Sequence, residues 1–535
     1  MALAGIDFFI IILYFVGVVI LGTYFTRYVK SSGDFFLAGK MLPWWAIGMS
    51  LVVSDIGALD FIAVSGQGFK YGIVVANFDW IGCLPPIILA AFISAPTLWR
   101  AGVYTIPEYM GLRYNNLVRA IQGLLWGLFL TANLGVMFWA TGLMLNEFVP
   151  IPDTLLGGTV KAVLEPVWGE HWPIMVHIIL IGVAVGIYTG SGGLSAVVMT
   201  DVVQLVVMFV GGIAVIAVGL YQVGGISGLK EAIYALGPEY SHHFDLLLPV
   251  DHPSPYPWPA IIFGLAFVLA PAYWLGNQAI IQRTLGAQSE WDAKAGTLFA
   301  GFLHALIPIL IAFPGLIGLA LYAHEVQNSD LAFPYLIHKL LPAGMTGLVF
   351  AAFMAALMSS VDSVLNSAAT LWTRDIYQQF LFRRKSDRHY LTVGRILTAL
   401  FVLGGIFAAP VVNYFESIYQ AIQNFLTFIQ GPNLALLLFG LLWKRANGKG
   451  ALAGLFAGLT TSIGLFTLQR FYHLFTQDDP FLYIAWWSFV ASVAVTVSVS
   501  LLTKPPSPDK IRGLVFRLAR EDREVQAALE KRAEG

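Results

Sequence analysis

The sequence predicts an all-α integral membrane protein with about 13 spans. Apolar residues make up 58% of its 535 residues and charged residues only 11%, whereas soluble domains average about 25% charged residues. Apolar runs of about 20 residues, the length that crosses a bilayer as a helix, recur along the whole chain. A chain of this length could not bury so much apolar surface in one water-soluble core, so the composition indicates a lipid environment.

Thirteen apolar segments are long enough to be spans, and several contain Gly, Pro or polar residues. They are 6–26, 42–69, 73–99, 117–148, 173–190, 194–222, 257–281, 296–322, 343–372, 391–411, 414–442, 449–469 and 481–503. The first segment lacks the positive flank and the cleavage site of a signal peptide, so we expect it to be retained.

The distribution of Lys and Arg supports this count and orients the chain. With the C-terminus in the cytoplasm, the cytoplasmic segments, including the one with Arg283, hold 25 of the 30 Lys and Arg. Positive charge collects on the cytoplasmic side of membrane proteins. We therefore expect a multi-pass protein of the bacterial cytoplasmic (inner) membrane with its N-terminus outside. The outer connections at 149–172 and 223–256 are read as loops.

Several functional classes are disfavoured. The net charge of −1 gives no basic excess for nucleic acid, and a single cysteine, Cys83, allows neither an internal disulfide nor a zinc-type cluster. The sequence has no GxxxxGK[ST] motif, so we expect no ATP-driven engine. A gradient-driven carrier or a channel is favoured over a pump, and we expect no enzymatic activity.

Six ionisable residues fall inside predicted spans, where charges are costly and are functional candidates by default. They are Asp55, Asp60, Asp79, Asp201, His304 and Asp362. No Lys or Arg is expected deep enough to pair all five acids. The sequence therefore predicts that a bound cation such as Na⁺, or a ligand rich in hydroxyl groups, satisfies several of them.

Two predicted spans are interrupted. The second contains SLVVSDIGALDF, and the seventh contains LAPAYWLGNQ with Pro271 and Gly276. Proline removes a helical hydrogen bond, and freed backbone groups at membrane depth are tolerated where they line a cavity or bind a ligand. Counted from the second span, the interruptions fall in the first and sixth helices. Matched interruptions in two five-helix halves are typical of inverted-repeat transporters.

The ninth predicted span carries a polar stripe. Ser359, Asp362, Ser363 and Asn366 follow a spacing of i, i+3, i+4 and i+7, which places them on one helix face, and Ser360 flanks them. Their oxygen atoms suit a hard cation such as Na⁺.

Five long segments, spread in order along the chain, have a distinctive sequence: GVYTIPEYMGLRY (102–114), SGGLSAVVMTDVVQ (191–204), GNQAIIQRTLGAQS (276–289), SSVDSVLNSAATLWTRDIY (359–377) and FGLLWKRANGKGA (439–451). They resemble the solute:sodium symporter family, specifically its sodium/glucose (sodium/galactose) cotransporter branch, and the match runs from about residue 40 to residue 475. The resemblance implies a LeuT-type inverted repeat of 5+5 helices, with one extra N-terminal and two extra C-terminal helices.

This resemblance implies a division of the chain. The expected parts are a peripheral span and cytoplasmic linker (1–40), a ten-helix transport core (41–443, with repeats at about 41–222 and 257–443), two peripheral spans (444–503) and a cytoplasmic amphipathic tail (504–535).

The resemblance also implies where Na⁺, the coupling ion, binds. The main site of the family joins backbone carbonyls at the interrupted second span to the ninth span. The matching residues are Val53, Ile56, Ala356, Ser359 and Ser360. A second sodium site of some members maps to Asp201, Asp362 and Ser363. Asp362 replaces a neutral residue of several relatives, so it either strengthens this second site or takes up a proton.

The expected solute-binding residues partly match the family and partly depart from it. Asp79, Asn133 and Gln423 are retained, whereas Asp55, Asp60 and His304 replace Asn, Gln and Lys, and Ala270 and Gly82 replace polar contacts. The expected gates are Tyr273 on the inner side and Phe78 and Tyr419 on the outer side. The resulting pocket is more acidic than the sugar pocket of the family.

The sequence therefore predicts a sodium-driven symporter that imports a monosaccharide or polyol by alternating access. One alternative is a sodium- or proton-coupled symporter of an amine-bearing solute, such as an amino sugar or amino acid. Another is a channel or sensor on the same scaffold, although the short tail argues against a sensor. The expected partners are the solute, the sodium ion and the lipid bilayer, with no nucleic acid and no ATP.

Overall fold

The computed structural model describes residues 4–26, 31–151, 155–477 and 479–516. Ten helices and three bent helix pairs in these residues are long and apolar enough to cross a membrane. Counting each bent pair once gives the 13 spans that the sequence predicts. Most of the predicted amphipathic tail, from residue 517 onward, lies outside the described residues.

The spans are labelled in chain order. They are α1 (Gly5–Phe25), α2a (Trp44–Asp55) with α2b (Leu59–Tyr71), α3 (Ile73–Ala101), α4 (Asn116–Phe148), α5 (Gly158–Gly186), α6 (Gly193–Val223), α7a (Ala260–Gly276) with α7b (Gln278–Leu285), α8a (Glu290–His304) with α8b (Ile307–Tyr322), α9 (Met345–Leu381), α10 (Asp387–Tyr414), α11 (Ile418–Leu442), α12 (Gly448–Tyr472) and α13 (Phe481–Leu502).

Both predicted interruptions are present, and a third is added. α2 bends by 56°, α7 by 45° and α8 by 43°. The bend in α8 follows His304, and Pro308 stands in the first turn of α8b, where its missing N–H removes no helical hydrogen bond. The bends in α2 and α7 are five spans apart, which is the arrangement expected of two related five-helix halves.

The connection between α4 and α5 differs from the sequence prediction. Residues 149–172 are predicted as an outer loop, but Leu155–Trp168 is helical and most of it belongs to α5, which continues through the short turn Gly169–His171. Apolar residues at Val160, Val163 and Val167 recur at about one helical turn, so this segment has an amphipathic pattern that two intervening charges obscure. The fifth span therefore begins earlier in the chain than predicted.

The break in α2 has a defined backbone geometry. Ile56 has φ −88° and ψ 93°, which is extended rather than helical. The N–H of Gly57 donates to the Asp60 carboxylate at 2.8 Å instead of to the Val53 carbonyl four residues earlier. A Cβ at Gly57 would lie 2.7 Å from the Ser360 hydroxyl on α9, so only glycine allows this approach. The broken helix therefore packs directly against the polar stripe of α9.

α9 lies at the centre of the helix bundle. In the most apolar stretch of α9, 94% of the residues are buried, against 22% in that of the peripheral α1. α1 nevertheless binds the start of α9, because the buried Asp7 carboxylate accepts the N–H groups of Gly344 and Gly347 at 2.7 Å each. The positive end of the α9 helix dipole stabilises this buried acid. α1 is thus joined to the central helix by a specific polar contact as well as by packing.

The two C-terminal spans pack through small residues. Gly450 and Gly454 of α12 lie against Ser500 and Thr496 of α13, and Gly458 lies against Pro432 of α11. Small residues spaced four apart let membrane helices approach closely, because lipid provides no hydrophobic force between them. The pair α12 and α13 therefore forms a compact unit beside α11.

Candidate functional site

A cavity of about 150 Å³ opens at the break in α2. Eight of the nine residues that the sequence assigns to the solute site and its gates line it, drawn from α2, α3, α4, α7 and α11. They are Asp55, Asp60, Phe78, Asp79, Asn133, Tyr273, Tyr419 and Gln423. These residues come from segments widely separated in the sequence, and their convergence in one cavity supports a common role.

His304, the ninth of these residues, lies behind the cavity wall. Its Nε2 is 3.2 Å from Asp55 Oδ2, and its Nδ1 is 3.5 Å from Asp79 Oδ1. The ring is fully buried at the end of α8a, and the indole of Trp274 meets it edge-on with centroids 5.0 Å apart. His304 therefore lies between two cavity acids.

Asp60 is compensated by the backbone. Its carboxylate accepts the Gly57 N–H and lies in the first turn of α2b, where the helix dipole is positive. Asp79 precedes the helix Trp80–Leu89 as its N-cap residue, but its side chain makes no capping hydrogen bond, and Asp55 ends α2a, where the helix dipole is negative. Among the described residues lining the cavity none is Lys or Arg. The cavity therefore suits ligands that donate hydrogen bonds or carry positive charge.

The walls of the cavity are largely apolar and aromatic. Phe78, Tyr273, Trp274 and Tyr419 contribute rings, while Asn133 and Gln423 contribute amides. Binding sites for small solutes combine such apolar walls with a few convergent polar groups that fix orientation. The sequence analysis did not identify Trp274, because Trp in a membrane helix has no distinctive local signal.

Two further aromatic residues pack on the expected outer gate. The ring of Phe78 lies 5.5 Å from Tyr419, 5.9 Å from Tyr256 and 6.4 Å from Phe481, measured between centroids. The Tyr256 hydroxyl donates to Gln67 of α2b at 2.7 Å. We call these four rings the aromatic cap. The sequence analysis missed Tyr256 and Phe481, which stand in a connection and at the start of a peripheral span.

The region predicted to hold the main sodium ion brings α2 and α9 together. Ser360 Oγ lies 3.3 Å from the Ser54 carbonyl, and Ser54 Oγ lies 3.3 Å from Ser359 Oγ. Ser54 lies between the two predicted carbonyl ligands, Val53 and Ile56, and the Val53 carbonyl lacks its helical donor because of the break. The arrangement thus offers hydroxyl and carbonyl oxygens at one place.

The region of the predicted second sodium contains an arginine. Arg283 of α7b is buried and lies 3.3 Å from Asp201 Oδ2, while Ser359 donates to the other oxygen of Asp201 at 2.5 Å. Arg283 also donates to Ser54 and Ser363. This position corrects the assignment of Arg283 to a cytoplasmic segment. The predicted ligands Asp201 and Ser363 already surround a tethered cation, and Asp362 is buried beside them on α9.

Arg283 reaches the interior because of the bend in α7. The Asn277 side chain accepts the N–H of Ala279 and caps the new helix, which then continues into the protein as α7b. The sequence count assumed that the seventh span ended before this residue. A positively charged residue near a predicted span end carries no local sign of whether it is buried.

A bundle of interrupted helices around a central, polar-lined cavity defines a secondary transporter. The family model described as "Sodium:solute symporter family" matches residues 35–458. The chain belongs to this family, which is a family of transporters, and it is a multi-pass membrane protein.

Named relatives agree with this membership. The sodium/glucose cotransporter of Vibrio parahaemolyticus is 31% identical over 507 aligned positions, covering 91% of this chain and 88% of the relative. The sodium/myo-inositol cotransporter of Bos taurus is 31% identical over 564 aligned positions, covering 95% and 75%. The predicted class, a Na⁺-coupled symporter, is confirmed at the level of the family.

Solved structures support the fold. A Na⁺-coupled sialic acid symporter, in a substrate-bound outward-open state, matches with a TM-score of 0.77 at 21% identity, covering 94% of this chain and 99% of that structure. Mhp1, a nucleobase-cation-symport-1 family transporter, matches with a TM-score of 0.52 at 14% identity, covering 90% and 97%. The predicted LeuT-type fold is confirmed, while the roles of individual site residues stay predictions.

Proposed function

We propose that the protein is a Na⁺-driven symporter that imports a small polyhydroxylated solute, a monosaccharide or a polyol, across the bacterial cytoplasmic membrane. The observation that carries this proposal is the cavity at the α2 break, where acids, amides and aromatic rings converge. The relatives named for glucose and myo-inositol transport favour the same solute class. In the proposed orientation the N-terminus is outside and the C-terminus is cytoplasmic, as the distribution of Lys and Arg favours.

The proposed sodium site joins α2a to α9. Its ligands are the carbonyls of Val53, Ile56 and Ala356 and the hydroxyls of Ser359 and Ser360, a set of oxygens that suits a hard cation. Ile56 also lines the solute cavity, so one residue belongs to both sites. An ion that fixes the extended backbone at Ile56 therefore also fixes one wall of the solute cavity.

The solute is proposed to bind through its hydroxyl groups. Asp55, Asp60 and Asp79 accept hydrogen bonds, while the amides of Asn133 and Gln423 both donate and accept. The surrounding rings pack against the carbon skeleton of the solute. His304 lies between Asp55 and Asp79, with one ring nitrogen 3.2 Å from the first carboxylate and the other 3.5 Å from the second, and so fixes the spacing of these two acceptors.

Transport then follows alternating access. The aromatic cap separates the cavity from the outside, and Tyr273 covers it on the cytoplasmic side. Na⁺ binding at the break organises the cavity, the solute completes it, and the core helices rock so that the inner side opens. Each charge that moves across 100 mV supplies about 2.3 kcal/mol, so one Na⁺ moving inward drives solute accumulation.

Uptake into proteoliposomes tests this proposal. Purified protein is reconstituted, and an inward Na⁺ gradient is compared with choline and with an imposed pH gradient. Radiolabelled glucose, galactose, myo-inositol and glucosamine are tested as solutes. The expected result is saturable accumulation of a neutral sugar or polyol that requires Na⁺. Equal accumulation in choline would exclude sodium coupling, and a flux that does not saturate would indicate a channel.

A second candidate solute is an amine-bearing compound such as an amino sugar. Three carboxylates with no Lys or Arg among the described lining residues favour a positively charged ligand. The same uptake panel separates the two candidates. Selective accumulation of glucosamine over glucose would support the amine-bearing solute, and preference for the pH gradient over the Na⁺ gradient would indicate proton coupling.

A further inference from the structure

Four side chains at the wall of the cavity form a cluster of metal-binding donor types. Asp55, Asp79, Cys83 and His304 each place one donor atom so that all four atoms lie within 4.8 Å of one another. They come from α2a, α3 and α8a, and Cys83 stands one helical turn after Asp79 on α3. The sequence analysis expected no zinc-type cluster, because it counted cysteines and not donors that the fold assembles.

The donor set matches a borderline divalent transition metal. Imidazole nitrogen, thiolate sulfur and carboxylate oxygen are the ligands of Zn²⁺ and of the chemically similar Co²⁺ and Cd²⁺. Tetrahedral ligands at the usual bond lengths of about 2.0–2.3 Å lie roughly 3.3–3.8 Å apart. The cluster therefore needs contractions of only about 1 Å, which side-chain rotation can provide. Na⁺ prefers hard oxygen ligands, so this cluster differs in chemistry from the α2–α9 site.

The environment of His304 provides a second, independent observation. The imidazole is fully buried, and within the described part of the chain neither ring nitrogen has a hydrogen bond of normal geometry. Its nitrogens face the carboxylates of Asp55 and Asp79 at 3.2 and 3.5 Å. Buried polar side chains normally find partners, so an imidazole held this way is available to bind an ion.

The backbone around His304 is also held in place. The Trp80 indole N–H donates to the carbonyl of Ala305 at 3.0 Å, which fixes the end of α8a next to the histidine. Trp274 packs edge-on against the imidazole ring. A metal ligand whose position is fixed by its surroundings loses little conformational entropy on binding.

We propose that Asp55, Asp79, Cys83 and His304 bind one divalent transition-metal ion of the Zn²⁺ type, and that this ion blocks transport from within the cavity. Asp55, Asp79 and Cys83 line the cavity, so the bound metal and the solute compete for the same space. The ion also compensates two carboxylates at membrane depth. The metal-binding part is independent of the proposed transport function, whereas the inhibition rests on it.

Direct binding of Co²⁺ to the purified, detergent-solubilised protein tests the site. Cys83 is the only cysteine of the chain, so any sulfur-to-cobalt charge-transfer absorption comes from this residue. The expected result is one Co²⁺ per chain with a charge-transfer band that Zn²⁺ abolishes. Cys83→Ser loses the band, and His304→Gln weakens Co²⁺ binding by about 10- to 100-fold, the scale of a disturbed metal site.

A matched control distinguishes this site from surface binding. His324→Gln changes an exposed histidine in the connection after α8 and is expected to leave Co²⁺ binding unchanged. Asp79→Asn serves as a second site variant, and thermal unfolding and gel filtration show which variants are folded. The absence of a charge-transfer band in the wild-type protein, or an unchanged band in folded Cys83→Ser, would overturn the proposal.

Inhibition of uptake tests the consequence for transport. Zn²⁺ is expected to inhibit Na⁺-driven uptake reversibly, with relief by a chelator and competition by the solute. In Cys83→Ser, measured against its own rate without Zn²⁺, the inhibitory concentration rises by about tenfold or more. Equal inhibition of wild type and Cys83→Ser would refute the blocking role. If the protein transports no sugar at all, the Co²⁺ measurement still decides whether the site exists.

Discussion

Replacement of Ser360 by alanine tests the proposed sodium site most directly. The hydroxyl of Ser360 lies 3.3 Å from the Ser54 carbonyl and faces the break in α2. Alanine removes one of five proposed Na⁺ ligands without adding volume. Hydrogen bonds and dipolar contacts to charged groups contribute about 1.5–3 kcal/mol. Because about 1.4 kcal/mol corresponds to a factor of ten, the Na⁺ concentration for half-maximal uptake should rise roughly 10- to 100-fold.

The assay is initial uptake of the accepted solute into proteoliposomes at a series of Na⁺ concentrations. Ser367→Ala is the matched control, because Ser367 is buried on the same helix and donates to Gln282 at 3.0 Å, away from the break. Its Na⁺ dependence should stay close to that of wild type. The reasoning is refuted if Ser360→Ala keeps the wild-type Na⁺ dependence, or if Ser367→Ala shifts it equally.

Three further predictions follow from the structure. Gly57→Ala should abolish or severely reduce Na⁺-dependent uptake, because its methyl group would collide with Ser360; wild-type uptake would show that the two helices need not approach. Phe481→Ala should loosen the aromatic cap and increase labelling of Cys83, which lines the cavity, by a thiol reagent added from outside; unchanged labelling would contradict the role of α13. Burial raises the pKa of Asp330, in the connection before α9, to about 6. A raised carboxyl pKa favours the folded state at low pH, and this contribution is lost as the pH rises through about 6. At pH 8, Asp330→Asn should therefore be more stable than wild type by up to about 3 kcal/mol and should unfold at a higher temperature. The difference in stability should vanish below about pH 4. A difference that does not depend on pH would contradict this assignment.

The electrostatics of the two central sites are distinct. Around Asp201 the protein supplies its own cation, Arg283, together with serine hydroxyls. Around Asp55 and Asp79 the described cavity lining offers no Lys or Arg, and the imidazole of His304 lies between the two carboxylates. Burying a carboxylate without compensation is costly. Of the two, the site at Asp55 and Asp79 is therefore the one at which an external ligand or ion makes the larger difference.

Much of the fold was determined by the sequence itself. The number and order of the spans follow from apolar length, because a helix must satisfy its own backbone hydrogen bonds across the lipid. The breaks in α2 and α7 could be predicted from Gly, Pro and polar residues at membrane depth. The helical segment 155–168 and the bend after His304 could not, because weak amphipathic patterns and prolines are compatible with several local conformations.

The residues of the solute site and its gates were identified mainly by resemblance, and the tertiary structure brought eight of these nine to one cavity. Only the tertiary structure decided the partners of the ionisable groups. It buried Arg283 beside Asp201, placed His304 between two acids, and brought Cys83 within reach of that cluster. The reason is physical: membrane insertion is decided by hydrophobicity along a segment, whereas side-chain pairing depends on distances between helices that are far apart in the chain.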